Sequence, residues 1–291
     1  MGAVGSASLA LRAPWRPALL KRVGSALILL PVFLVIVVKA PAFLFNALVV
    51  VASAAALWEL MRLLERGGRP VYRWLGVVAG TAVTATFAAS RLGDPLVLPA
   101  LAVTVAVGVV LIAPMFYGVP ATEAVANTLL AVMYVGWLLG FGILLHHTSP
   151  LGDELVLFVV GVTWVGETTA YLVGSAVGRR KLAPVISPRK TVEGAVAQVL
   201  ASVATGAALG GWLLPVCGVG VGVMGGALLG GVGQLGDLAE SAIKRSVGTK
   251  DTGGLIPGHG GVLDRIDSLL FNLPAFYYFT LMASWLKVGC R

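Results

Sequence analysis

Nine apolar runs, separated by short polar segments, set the pattern of the chain. They cover 23–38, 43–61, 74–90, 96–116, 124–145, 155–177, 194–214, 217–235 and 266–286. Most approach the ~20 residues that an α-helix needs to cross the hydrocarbon core of a bilayer. In that medium every backbone N–H and C=O must be satisfied within the segment, which a helix achieves and an isolated strand does not. The pattern therefore predicts an all-α, polytopic integral membrane protein with about nine transmembrane helices. Breaks in the pattern divide it into a basic segment over 1–22, a first group of membrane helices over 23–150, and a C-terminal membrane region over 151–291. The last region carries two polar loops, 178–193 and 236–265.

Composition excludes an ordinary soluble domain. Hydrophobic residues make up 58% and charged residues 12%, with a mean hydropathy of +0.93, against about 25% charged residues in soluble domains. The net charge of +8 would by itself suit a nucleic-acid partner, but the placement of the charge gives another cause. Lys and Arg cluster before Val23 and at 62–73, 179–190 and 244–265, leaving only Lys39, Arg91, Lys287 and Arg291 elsewhere. Alternate loops rich in cations are the positive-inside signature. It predicts a cytoplasmic N-terminus, puts both polar loops on the cytoplasmic side, and explains the basic balance with no nucleic acid.

The segment from Gly236 to Asp267 holds five of the 13 acidic residues, between two apolar runs. Hydrophobic burial does not select such a stretch; chemistry does. If the preceding helix continues into it, Asp237, Ser241 and Lys244 share one face, and Glu240 and Lys244 pair at i, i+4. A glycine-dense turn follows, Gly253-Gly254 through Pro257-Gly258-His259-Gly260-Gly261, whose backbone N–H groups are free to point at an anion. A new helix near Asp264 then places Asp264, Asp267 and Ser268 at i, i+3 and i+4. Carboxylates on two helix ends, joined by a cationic glycine loop, suit a divalent cation and phosphates, since Mg2+ uses one or two carboxylates plus substrate phosphates.

The run Ser241-x2-Lys244-Arg245-x4-Lys250-Asp251-x-Gly253-x3-Pro257-x-His259-Gly260-Gly261-x2-Asp264-Arg265-x-Asp267 resembles the signature of the phosphatidate cytidylyltransferases (CDP-diacylglycerol synthases). A second run resembles the same family, whose usual form is W-x2-D-x2-A-Y followed by S-P-K-K-T-x-E-G. Here Trp164, Ala170, Tyr171, Ser187, Pro188, Lys190, Thr191, Glu193 and Gly194 keep the pattern. Arg189 replaces a lysine, and Glu167 stands where the family has aspartate. An acid within a span is a functional hypothesis by default. Arg189 and Lys190 at a helix start oppose the helix dipole, a conflict that a bound phosphate removes. The resemblance covers roughly 160–280.

The resemblance implies transfer of CMP from CTP to phosphatidic acid, giving CDP-diacylglycerol and pyrophosphate, at the cytoplasmic face of the inner (plasma) membrane. It implies Mg2+, with room for a second metal ion; a homodimer is compatible with it. Asp237, Asp264 and Asp267 are expected at the metal, with Glu167 as a further candidate. Lys244 is expected to neutralise charge in the transition state. Lys250, His259 and the amides of Gly260 and Gly261 are assigned to phosphate oxygens. Ser187, Arg189, Lys190, Tyr171, Ser241 and Arg265 are the remaining substrate-binding candidates.

Two competing readings come from other classes. A CTP-dependent lipid kinase of the polyprenol or phytol type would transfer the γ-phosphoryl group. A transporter would use the glycine-rich spans and Glu167, but the charge lies in two loops rather than near midplane. Three features read as structural. Glu59 pairs with Arg62 as an interfacial snorkelling couple. Gly222-x3-Gly226-x3-Gly230 is small-residue packing between helices. Cys217 and Cys290 have no metal spacing and read as small apolar residues, with a disulfide between them as the alternative.

Overall fold

The structure is a computed structural model that describes residues 30–117, 121–249, 252–253 and 260–285. Helix α1 covers 30–38. It is followed by α2 (Ala42–Arg66), α3 (Arg73–Thr86), α4 (Val97–Ile112), a short α5 (Pro114–Tyr117), α6 (Ala121–Ala131) and α7 (Leu138–His147). The C-terminal region holds α8 (Gly152–Val177), α9 (Val192–Leu213), α10 (Gly218–Ser246) and α11 (Leu263–Trp285). A π-helical stretch, Val132–Trp137, joins α6 to α7 in one rod.

Among the described residues, six helices are long and apolar enough to cross a membrane: α2, α4 with α5, α6 with α7, α8, α9 and α10. The other three apolar runs behave differently. The run 23–38 lies partly outside the described residues. The run 74–90 divides into the 14-residue α3 and a 3-10 turn over Phe87–Leu92. The last run becomes α11, which carries Asp264 in its first turn and contains Pro274. Its buried Asn272 donates to Thr163 Oγ1 of α8 at 2.8 Å, so this helix is held by neighbours as well as by apolarity. Cys217 is disulfide-bonded rather than an inert thiol; Cys290 lies outside the described residues.

The fold is not purely helical. Lys181–Ala183 (β1) and Ser187–Thr191 (β2) form an antiparallel hairpin. The stretch Ser187–Thr191, expected to open a helix, is instead a strand. The helix starts only at Val192, where Thr191 accepts a hydrogen bond from the Gly194 N–H at 3.2 Å. Arg189 and Lys190 therefore sit on a strand rather than in the first turn of a helix.

α9 crosses α10 at near-contact of the two backbones. A Cβ on Gly222 would lie 2.3 Å from the Gly206 carbonyl oxygen, and one on Gly226 would lie 2.3 Å from the Ser202 carbonyl oxygen. The spaced glycines of α10 thus serve close helix packing, as their spacing indicates. The obstructing atoms are backbone and cannot rotate away. Gly226→Ala is accordingly expected to destabilise the protein by about 1–3 kcal/mol, the usual scale of overpacking, seen as a lower melting temperature in detergent. An unchanged melt would contradict this packing.

One end of the bundle collects the polar segments. Gly67, just beyond α2, packs on Val247, just beyond α10. Arg245 donates to the carbonyl oxygens of Ile186 in the hairpin turn (3.2 Å) and of Thr249 (3.0 Å). The α2–α3 connection, the hairpin and the α10–α11 connection therefore share that end. At the other end of α7, His147 bonds Ser90 and Asn46, and His146 faces Asp153, so both histidines have structural partners.

Candidate functional site

The two polar segments meet at one ion pair. Lys190 Nζ, on β2, lies 2.7 Å from Asp237 Oδ2, on α10. Ser241, one turn further along α10, donates to Asp237 Oδ1 at 3.3 Å, as the i, i+4 spacing implies. Beside this pair opens a cleft of about 580 Å³ between α8, the hairpin, α9 and α10. Glu167, Tyr171, Lys181, Arg189, Lys190 and Asp237 supply its charged and aromatic lining. Tyr171 is 75% exposed on α8, where a ring can lie along a ligand entering from the side.

A second ion cluster lies nearby. Lys244 Nζ bridges Glu240, one turn back on α10, and Asp264 Oδ1, on the first turn of α11, at 2.9 Å. The other Asp264 oxygen accepts from the N–H of Thr252 (3.3 Å) and of Gly261 (3.2 Å). Asp264 therefore fastens both ends of the glycine loop to Lys244. Burial would lift the Asp264 carboxyl, but the Lys244 ammonium and the Thr252 hydrogen bond outweigh it and hold it below the ordinary range. Gly260 has φ 85°, a left-handed conformation that glycine adopts without the Cβ penalty.

Asp267, one turn further along α11, lies within electrostatic reach of Asp237, Glu240 and Glu167. Lys190 and Arg265 in turn act on Glu167. Among the described residues no three His, Cys, Asp or Glu side chains come close enough to cage a metal by themselves.

Of the remaining candidates, Ser187 begins β2, close to the cleft wall but not among its lining residues. Lys250 and His259 lie outside the described residues. Sequence reading misplaced one residue. Glu59 does not snorkel beside Arg62: it is 3% exposed, and its Oε2 accepts from the Leu263 N–H of α11 at 2.9 Å. The signal was an acid flanked by Leu60-Met61 and Leu63-Leu64, an apolar setting that faces inward.

Six apolar helices and a charged cleft at one end of the bundle define a multi-pass membrane protein built around a polar site. The cytidylyltransferase family profile matches residues 20–283, and the chain belongs to that family. Among its relatives, the uncharacterised protein YnbB of Escherichia coli K12 is 42% identical over 153 residues, which is 52% of this chain and 50% of YnbB. A phosphatidate cytidylyltransferase of Brucella abortus biovar 1 is 45% identical over 143 residues, 47% of this chain and 50% of that protein. The phosphatidate cytidylyltransferase of Staphylococcus saprophyticus is 41% identical over 157 residues, 51% of this chain and 56% of its own. The chain spans about half the length of the curated relatives it matches.

Proposed function

We propose that the protein is a phosphatidate cytidylyltransferase: it transfers CMP from CTP to phosphatidic acid, releasing pyrophosphate and CDP-diacylglycerol. The observation that carries this reading is the Lys190–Asp237 pair, at 2.7 Å, which joins two charged segments distant in sequence at one cleft. The names of the Brucella and Staphylococcus relatives support the same activity.

The chemistry asks for little acid–base work. A phosphatidate oxygen attacks the α-phosphorus of CTP, a new P–O bond forms there, and the bond to the bridging oxygen breaks with pyrophosphate leaving. The obstacle is that one polyanion approaches another, so positioning and charge neutralisation carry the rate. Arg189, Lys190 and Lys181, on the hairpin, bind phosphate oxygens beside Tyr171. Asp237 and Asp267, with Glu167 beside them, would hold Mg2+, which supplies Lewis-acid polarisation of the phosphoryl oxygens. Asp264 is assigned to fixing Lys244 and the glycine loop, because its oxygens are taken by Lys244 and two amides. Lys244 and the Gly260 amide are then assigned to the departing pyrophosphate, and Lys250 and His259, which lie outside the described residues, are assigned to it from the sequence pattern alone. Basic residues crowd the end of the bundle that carries the site, which supports a cytoplasmic position for it, where CTP is found.

Glu167 occupies the position of the family's aspartate with one more methylene. Glu167→Asp is expected to keep activity within about 10-fold and Glu167→Ala to lose 10–100-fold, the range for disturbing a metal's supporting ligands. Steady-state CMP transfer checks both. The test of the function itself is purified protein with phosphatidic acid and CTP labelled at the α- or γ-phosphorus, with and without Mg2+. Lipid-bound α-label with released pyrophosphate is the expected result. Lipid-bound γ-label with free CDP would make the protein a lipid kinase instead.

A further inference from the structure

A carboxylate from the first group of helices reaches the far polar end of the bundle. Glu59 lies on α2, and its Oε2 accepts from the Leu263 N–H at 2.9 Å, across 204 positions of sequence. It also fills the gap between the two ends of the glycine loop. A Cβ on Gly253 would stand 2.8 Å from Glu59 Oε1, and one on Gly261 would stand 2.8 Å from Glu59 Oε2. Asp264 Oδ2 accepts from the N–H groups of Thr252 and Gly261 at the same loop ends. The described loop ends thus adjoin two carboxylates, and Asp264 is the one that also holds Lys244 at 2.9 Å. A negative side chain at the N-terminus of α11 is favoured by the unpaired N–H groups and the dipole there.

We infer that Glu59 is a positioning residue for cytidylyl transfer, setting the glycine loop and the first turn of α11 at the distance from Lys244 that the phosphates require. It is too deeply buried to touch substrate and acts through Leu263, Gly253 and Gly261. The inference rests on the proposed transferase reading and gives the first group of helices a part in the chemistry. Misplacing a catalytic group by about 1 Å costs on the order of 100-fold in rate, so a clamp on this loop has large leverage.

The test uses the purified full chain and four variants: Glu59→Ala, Glu59→Gln, Gly253→Ala, and Gly253→Ala combined with Glu59→Ala. Glu59→Ala is expected to lower kcat/KM for CTP by about 10–100-fold while KM for phosphatidic acid stays within about twofold, because the clamp orders the loop and not the cleft. Glu59→Gln keeps an oxygen for the Leu263 N–H and should recover most of the loss. Among the described residues the three atoms nearest the Cβ of Gly253→Ala all belong to Glu59, so this variant should also be impaired. Adding Glu59→Ala to it should bring no further loss.

Wild-type CTP kinetics in Glu59→Ala would overturn the inference. So would a loss that matches a fall in folded protein with KM for CTP unchanged. If Glu59→Ala does not fold, Glu59→Gln and Gly253→Ala carry the test, and unchanged CTP kinetics in both overturns it. A wild-type protein that forms no lipid-bound CMP overturns the functional reading instead. In that case thermal stabilisation by CTP, smaller in the Glu59 variants than in wild type, still supports the clamp, and equal stabilisation rejects it.

Discussion

Asp237→Asn should lower kcat/KM for CTP by about 100-fold or more, the scale of removing one preorganised electrostatic contact from an active site. The substitution keeps the volume and one oxygen of Asp237 but removes its charge. Two consequences follow at once. Lys190 loses the partner that holds it at 2.7 Å, and the proposed metal loses one of its two facing carboxylates. Folding should be nearly unaffected, because a partly exposed ion pair contributes only about 0–1 kcal/mol, and Asp237 is 33% exposed at its side chain. The pattern to look for is a deep loss of activity with a melting temperature close to wild type. Activity within a few-fold of wild type would remove Asp237 from the site.

Lys244→Met should damage both activity and folding. Lys244 serves Glu240 and Asp264 together, and the side chains of the three are 13%, 1% and 14% exposed. Removing the shared cation leaves two carboxylates with little water and no counter-charge, a change that costs about 3–5 kcal/mol. The pH dependence of stability should also weaken at Asp264. In the intact protein its carboxyl is held below the ordinary range. Its contribution is present above the unfolded value and is lost as pH falls through the folded one. Without Lys244 the largest influence opposing burial is gone and only the hydrogen bonds remain, so the folded value should rise and the stability lost as pH falls through it should shrink. Thermal melts between pH 4 and about pH 8 would register the weaker dependence. A variant that melts like wild type at neutral pH would show that the cluster is not held by this lysine.

Much of the helical architecture was legible because a bilayer leaves the sequence few choices. Runs of apolar residues near 20 long in α2, α8, α9 and α10 have no soluble alternative with so little charge. Spacing also announced the local pairs: Asp237 with Ser241 and Glu240 with Lys244 are one helical turn apart, and both are made. What sequence reasoning missed depended on contacts distant along the chain. The hairpin of β1 and β2 was hidden because three- and five-residue strands carry almost no periodic signal, and Pro188 reads equally well as a helix start. α3 was overestimated because hydropathy does not register where an α-helix tightens into a 3-10 turn. Glu59 was misread because its partner is Leu263, and local pattern offers only Arg62 as a neighbour. The charged segments announced their chemistry, while the pairing that joins them, Lys190 with Asp237, required the fold.

The account stands or falls on those two segments working as one site. The most direct measurement is a double-mutant cycle on kcat/KM for CTP with Lys190→Met, Asp237→Asn and the combination. Residues in one ion pair show interaction energies of about 0.5–3 kcal/mol, whereas independent residues add within about 0.5. The account predicts a double variant little worse than the more damaged single. Losses that simply multiply would mean that the hairpin and α10 act apart, and would contradict it.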